Sequence, residues 1–322
     1  MKILVTGAAG FIGFHVSKKL IEQNYEVIGI DNLNDYYDIS LKNDRLKNLE
    51  NDNFIFHKID ISDNEKIIEL SEKYPDIKYI IHLAAQAGVR YSTENPLAYI
   101  QSNLVGHANM LELCRNLNEL EHFIYASSSS VYGGNTKLPF STEDRVDSPR
   151  SLYAATKKAD ELLTHSYAHL YEIPATGLRF FTVYGPWGRP DMATYLFTKS
   201  IIEGKPITVF NNGDMRRDFT YIDDIVDGII SVMKKVPENK PAHKVYNLGN
   251  NNSEKLMHFI NILEQTIDKK AIIDFKPMHP GDVKETFADI SDSKNDFGFS
   301  PKTSIEEGLP KFVEWYRQYY RS

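Results

Sequence analysis

Tyr153 and Lys157 stand four residues apart in Tyr153-Ala154-Ala155-Thr156-Lys157. On a helix that spacing brings a phenol and an ammonium onto one face, a turn apart. An ammonium so placed stabilises a phenolate, which can then take a proton from an alcohol near neutral pH. The spacing alone carries little, because it recurs at Tyr74/Lys78 and Tyr195/Lys199. A hydroxyl cluster, Ser127-Ser128-Ser129-Ser130, precedes Tyr153 and closes an apolar run. Its plain structural reading is a polar loop or helix cap. A second constellation is Gly7-Ala8-Ala9-Gly10-Phe11-Ile12-Gly13, between an apolar run and a helical pattern. Gly7 would permit a tight turn, Gly10 the approach of backbone to a pyrophosphate, and Gly13 close packing of helix on sheet. Phosphates would lie at the helix amino terminus, where free N–H groups and the dipole favour anions. Asp31, with Asn32 beside it, closes the next apolar run about 20 residues on, where a carboxylate binds the adenosine ribose. No Lys or Arg occurs between Asp31 and Leu41. A 2'-phosphate would meet repulsion there, so NAD is expected rather than NADP.

Alternating strands and helices must position these residues. Short apolar runs alternate with longer helical patterns, the signature of a parallel sheet with crossover helices. Strands are predicted at 2–6, 26–30, 54–58, 79–83, 122–127 and 175–181, and helices at 11–23, 64–73, 98–116 and 151–171. Tyr153 then lies on the helix after strand five, and strand five ends in the serine run. Pair, serines and glycine turn converge on one crevice at the carboxyl edge. Asp60-Ile61 after strand three and Leu83-Ala84-Ala85 after strand four suit adenine and ribose contacts there. Beyond Tyr184 the pattern loosens into turns such as Gly185-Pro186-Trp187-Gly188-Arg189-Pro190. We expect an α/β fold: a doubly wound Rossmann sheet over residues 1–182 and a smaller α/β substrate-binding domain over 183–322, with some later segments returning to the first. The lysine- and asparagine-rich stretch 231–244 reads as a solvated helix end and loop.

Composition narrows the class. A chain of 322 residues is long for one core, which favours two associated domains. The formal net charge of -7 argues against a general nucleic-acid or anionic-membrane surface, so an anionic substrate must meet a local basic cluster. Cys114 is the only cysteine, which rules out an intrachain disulfide and a Cys-based metal site; no metal is expected. The amino terminus runs directly into the first strand, without the charged and apolar regions of a signal peptide. No apolar run approaches the roughly 20 residues needed to cross a bilayer. A cytoplasmic protein without nucleic-acid or membrane partners is expected.

The glycine turn, the serine run before Val131-Tyr132-Gly133, and Tyr153/Lys157 resemble the extended short-chain dehydrogenase/reductase family. The resemblance continues through Leu83-Ala84-Ala85, Asn103, Arg217-Asp218-Phe219, Tyr221-Ile222-Asp223-Asp224 and Pro280-Gly281-Asp282-Val283. Within that family the chain most resembles the nucleotide-sugar epimerases, particularly those acting on UDP-glucuronate. The resemblance implies a Rossmann domain with tightly held NAD, which Asn103 would also contact, a smaller domain for the UDP moiety, and a homodimer through helices 98–116 and 151–171. Related dehydratases and decarboxylases carry a glutamate just before the Val-Tyr-Gly tripeptide. This chain has Ser129-Ser130 there, so elimination lacks its base. Galactose epimerases carry Asn where Thr182 stands; Thr182 and Arg189 resemble the pair that holds the sugar carboxylate in the uronate epimerases. His279 replaces the glutamine usual in that group.

By this resemblance Tyr153 takes the proton of the sugar 4-hydroxyl, Ser128 shares a hydrogen bond with the 4-oxygen, and Lys157 binds the nicotinamide ribose. Thr182, Arg189 and Ser130 would clamp the carboxylate and disfavour decarboxylation of the β-keto acid intermediate. Arg217 and Arg90 would meet the diphosphate and Asp282 the uridine ribose. Two rivals stand beside this reading. Thr286 is small where bulk restricts an acetamido group, which suits a UDP-N-acetylglucosamine 4-epimerase. A non-catalytic NAD-binding module is the other, although a binder needs no proton-transfer pair.

Overall fold

Seven parallel strands build the central sheet of the computed structural model, which describes residues 1–278 and 283–322. The chain begins β1 (Lys2–Thr6), α1 (Phe11–Glu22), β2 (Glu26–Asp31), α2 (Ile39–Lys47), β3 (Phe54–Lys58), α3 (Asn64–Lys73) and β4 (Ile77–His82). Two short helices, α4 (Tyr91–Glu94) and α5 (Pro96–Tyr99), lead through a π-helical segment, Ile100–Val105, into α6 (Gly106–Asn116). Next come β5 (His122–Ser128), a 3-10 turn over Ser129–Tyr132, α7 (Leu152–Tyr171), β6 (Ala175–Phe180) and β7 (Thr182–Tyr184). Then follow α8 (Ala193–Glu203), β8 (Pro206–Phe210), β9 (Arg216–Arg217), β10 (Phe219–Tyr221), α9 (Ile222–Met233) and β11 (His243–Leu248). The chain closes with β12 (Glu254–Lys255), α10 (Leu256–Ile267), β13 (Ile272–Lys276), α11 (Ser291–Phe297) and α12 (Ile305–Tyr320).

The strand order is β11-β6-β5-β4-β1-β2-β3. Central strands covered by helices on both faces are apolar nearly throughout, and Ile3, Leu4 and Val5 of β1 are fully buried. The chain moves outward from β1 through β2 to β3, then crosses back to place β4 on the other side of β1. The order reverses there, and a crevice opens at the carboxyl ends of the two strands. Thr6 ties those ends together. Its Oγ1 lies 2.8 Å from His82 Nδ1 and accepts the N–H groups of Leu83 at 3.1 Å and Ala84 at 3.0 Å.

Three differences from the sequence reading have physical causes. The stretch 231–244 is not loop to its end, because His243 and Lys244 open the edge strand β11 beside β6. An edge strand pairs on one side only, so its alternation of polar and apolar residues does not read as a buried run. α2 was not anticipated: only nine residues long and highly charged, it has a weak apolar stripe. Asp38 caps it by accepting the Ser40 N–H at 2.9 Å. The helix expected over 98–116 contains the π turn, a device frequent near functional sites. Smaller parallel pairs, β7 with β10 and β8 with β13, lie outside the main sheet. No helix among the described residues is long and apolar enough to cross a membrane.

Candidate active site

The crevice at the switch point is a cavity of about 460 Å³. Gly7, Gly10, Phe11, Ile12 and Gly13 form one end of its wall. Gly7 has φ +70°, and a Cβ at Gly13 would come within 2.0 Å of the Gly7 carbonyl oxygen. Any larger residue would force the turn apart, so the glycines here serve a close backbone approach. Asp31, Asn32, Ile61, Leu83, Ala84 and Ala85 line the same end. Asp31 accepts the Leu33 N–H at 2.9 Å. Asp60 stands one layer back, accepting the side-chain amide of Asn32 at 2.8 Å and thereby holding it.

Lys42, on α2 just beyond the stretch between Asp31 and Leu41 that lacks Lys and Arg, brings its Nζ to 3.8 Å from Asp31 Oδ1. The absence of a cation is therefore not what distinguishes this end. Lys42 already donates to the Asn34 carbonyl at 3.0 Å and side chain at 2.8 Å, and burial holds its pKa below the ordinary lysine value despite Asp31. What remains against a 2'-phosphate is the Asp31 carboxylate in the wall.

At the other end the wall holds Ser128, Ser130, Tyr153, Lys157, Thr182, Arg189, Arg217 and Thr286. Tyr153 and Lys157 project from the first turns of α7, whose cap Ser151 accepts the Ala154 N–H at 3.1 Å. Ser128 ends β5 and caps the 3-10 turn by accepting the Ser130 N–H at 3.1 Å. The serine run is thus both a cap and part of the cavity wall. Ser127 also lines the wall, while its hydroxyl donates to Glu161 at 2.7 Å. The two decoy pairs lie elsewhere. The Tyr74 hydroxyl meets His57, and that of Tyr195 meets Tyr320.

Asn103 sits in the π turn behind the wall. Its Oδ1 accepts the Gln86 N–H at 2.8 Å, and its amide donates to the Gln86 carbonyl at 3.1 Å and to Thr156 at 3.0 Å. It braces the loop after β4 against α7. Arg90 is not among the residues lining the cavity; its guanidinium lies 4.2 Å from the centre of the Phe210 ring. Asp282 and His279 fall outside the described residues. Arg217 donates to the carbonyls of Arg216 at 2.8 Å and Lys284 at 3.1 Å. Thr286 accepts the Asp218 N–H at 3.1 Å. Among the described residues no cluster of three or more His, Cys, Asp or Glu is placed to hold a metal.

Arg189 already has a carboxylate. Its Nε and Nη2 donate to Asp191 at 2.9 and 2.6 Å, a two-pronged pair that fixes the guanidinium plane. Burial opposes both charges, yet the pair holds the Asp191 carboxyl below its ordinary range and Arg189 above its own. The Tyr36 hydroxyl donates to Asp191 at 3.2 Å, and burial followed by that carboxylate pushes Tyr36 up to about 12. Sequence spacing could have suggested Asp191, two residues beyond Arg189, but nothing local could have suggested Tyr36. Buried Arg45 links the two ends of the site. It donates to the Ala9 carbonyl of the glycine turn at 2.9 Å and to the Trp187 carbonyl of the Arg189 loop at 2.6 Å.

The family model described as GDP-mannose 4,6 dehydratase matches residues 4–312. The chain is 51% identical to Protein CapI of Staphylococcus aureus over 100% of both chains. It is 47% identical to UDP-glucuronate 4-epimerase 2 of Arabidopsis thaliana, over 100% of this chain and 77% of that one. The crystal structure of UDP-glucuronic acid 4-epimerase from Bacillus cereus, in complex with UDP-glucuronic acid and NAD, superposes with a TM-score of 0.92. That pair is 37% identical over 99% of this chain and 100% of the other. With a parallel Rossmann sheet, a glycine turn at its switch point and a Tyr/Lys pair across the crevice, the chain belongs to the GDP-mannose 4,6 dehydratase family of extended short-chain dehydrogenase/reductases.

Proposed function

We propose that the protein is an NAD-dependent epimerase that inverts C4 of UDP-glucuronate to give UDP-galacturonate. The observation that carries this reading is the meeting of Ser128, Ser130, Tyr153, Lys157, Thr182 and Arg189 in the wall of one cavity with the glycine turn. The relatives and the Bacillus cereus complex support the same substrate and cofactor. The cofactor end fits a dinucleotide, because the turn leaves no room for a Cβ at Gly13 and Asp31 closes β2 beside it. Bound NAD would supply reversible hydride acceptance at C4.

The side chains do the rest. Tyr153 takes the proton of the 4-hydroxyl and later returns one to the 4-oxygen, with Ser128 hydrogen-bonded to that oxygen. Lys157 sustains the phenolate and reaches the nicotinamide ribose. Gly7, Gly10, Phe11, Ile12 and Gly13 receive the pyrophosphate, while Asp31, Asn32, Ile61 and the segment Leu83–Ala85 meet the adenosine. Asp60 and Asn103 act from behind, on Asn32 and on the Gln86 loop. Thr182, Ser130 and Arg189 take the uronate carboxylate, and Arg217 and Asp282 serve the UDP moiety, from which Arg90, outside the cavity wall, stands apart. Residues 1–182 then form mainly the cofactor domain and 183–322 mainly the UDP-sugar domain. A cytoplasmic location and a role in polysaccharide precursor synthesis accord with this reading. Protein incubated with UDP-glucuronate and no added cofactor should yield UDP-galacturonate by NMR, with NAD released on denaturing extraction. A requirement for external NADP, or a preference for UDP-glucose or UDP-N-acetylglucosamine, would sink the assignment.

A homodimer through α6, α7 and the segment before them completes the proposal. Leu97 on α5 and Leu162 and Leu170 on α7 are 75%, 58% and 65% exposed. Large aliphatic side chains so exposed on adjoining helices suit a self-complementary twofold interface. Leu162→Glu should give monomers by sedimentation while the helices remain folded. An unchanged sedimentation profile at low protein concentration would exclude α7 from the interface.

A further inference from the structure

The Lys157 ammonium has a carboxyl beside it on the side away from Tyr153 in sequence. Nζ donates to the Ala126 carbonyl at 2.9 Å and to Asp160 Oδ2 at 3.1 Å, and both side chains are almost wholly buried. Asp160 Oδ1 is buried with no hydrogen-bond partner among the described residues. A buried carboxylate oxygen in that state is costly, unlike the satisfied polar groups usual in a core. Tyr153, Lys157 and Asp160 follow at steps of four and three residues, so they share one face of α7.

We infer that Asp160 is a positioning residue that shares the Lys157 ammonium with the Tyr153 phenol and so tunes how strongly that ammonium stabilises the phenolate. The inference rests on the roles proposed above for Tyr153 and Lys157. A negative charge on Asp160 offsets part of the field that Lys157 exerts at the phenol; a neutral carboxyl offsets none.

The surrounding groups hold their charge through the neutral range. On α7, burial alone would raise Glu161, but Arg179 of β6, at 2.8 and 2.9 Å, and the Ser127 hydroxyl hold it below its ordinary range. His82 of β4 is lowered to about 3 by burial and then by Lys157. His107 of α6 is likewise lowered by burial. Burial raises Tyr125 of β5 well above its ordinary range, and lowers His243 of β11, which meets the Tyr125 hydroxyl, to about 4. Among these groups Asp160 is the one whose charge changes there. Burial pushes it up to about 7, against the pull of Lys157. Below that pH Lys157 acts on the phenol undivided; above it, the ammonium is shared.

The phenol can be titrated directly. Tyrosinate ultraviolet absorbance of the protein as purified is followed against pH, as the difference from the same protein carrying Tyr153→Phe. The same difference is taken in Asp160→Asn and Asp160→Ser backgrounds. Both backgrounds should lower the midpoint by about one pH unit, the scale of one charge acting over roughly 10 Å at an effective dielectric of about 20. The acid limb of kcat/KM should move with it. An unchanged midpoint overturns the inference even where turnover falls, since Asp160 would then serve packing alone. The serine variant keeps the test open if the asparagine variant does not fold. A lowered midpoint in protein that turns over no UDP-sugar would leave this inference standing and remove the proposed function.

Discussion

Replacing Tyr153 by Phe is expected to lower turnover of UDP-glucuronate by at least about 100-fold, the scale for losing a positioned acid/base group. The phenol shares the cavity wall with both Ser128 and Lys157. The variant keeps the ring, and with it the edge contact to Tyr99 at 6.1 Å, so the fold around it should persist. UDP binding should change little, because in the proposed mechanism the hydroxyl meets the reacting oxygen and not the nucleotide. Phe at Tyr74 or Tyr195, whose hydroxyls are engaged with His57 and Tyr320, should not reproduce the loss. Steady-state kinetics with UDP binding by calorimetry would check this. Near-normal turnover in Tyr153→Phe would remove the catalytic assignment.

Arg189→Ala should lower kcat/KM for UDP-glucuronate roughly ten- to a hundredfold, about 1.5 to 3 kcal/mol for a charge-assisted hydrogen bond lost. The same substitution should barely change any turnover of UDP-glucose, which brings no carboxylate. Thr182→Ala should act in the same direction, more weakly. Asp191 already occupies Nε and Nη2, so the guanidinium is held in plane before substrate arrives, and in the proposed mechanism the carboxylate meets its Nη1 edge. With the clamp loosened, part of the 4-keto uronate should lose carbon dioxide, detectable by mass spectrometry as a 4-keto-pentose nucleotide. Stability provides the control. A carboxyl held below its ordinary range contributes stability above its unfolded-state ionisation, and that contribution is lost as pH falls through the folded one. Asp191 is such a group, held down by Arg189 against burial. The difference in thermal stability between wild type and Arg189→Ala should therefore be present at neutral pH and shrink in acid. Equal losses on UDP-glucuronate and UDP-glucose would mean that Arg189 serves the loop and not the sugar carboxylate.

Much of the fold was legible because it rests on local periodicity. The apolar runs of β1 to β6 and the helical spacing of α1, α3 and α7 fall within a few residues of the predicted bounds. Elements without that signal escaped notice: α2 is short and charged, and β11 is an edge strand with polar residues at its start. The cavity wall was legible for a related reason. Its glycines, serines and Tyr/Lys pair follow strand ends, and strand ends of a doubly wound sheet meet at one edge.

By itself the sequence determined the glycine turn, the carboxylate closing β2, and the phenol and ammonium on one face of α7. Each depends only on spacing within one strand–turn–helix unit, so no knowledge of distant neighbours was required. Only the tertiary structure decided what stands behind those groups. Lys42 reaches Asp31 because α2 folds back over the carboxyl edge. Asp191 is held by Tyr36, 155 residues away. Asn103 braces the Gln86 loop against α7 from outside the cavity wall. Asp160, three residues from Lys157, was visible in sequence, but its burial was not. The physical reason is common to all four. Hydrogen bonds and desolvation depend on which surfaces the strand order and helix packing press together, and local spacing carries no record of that.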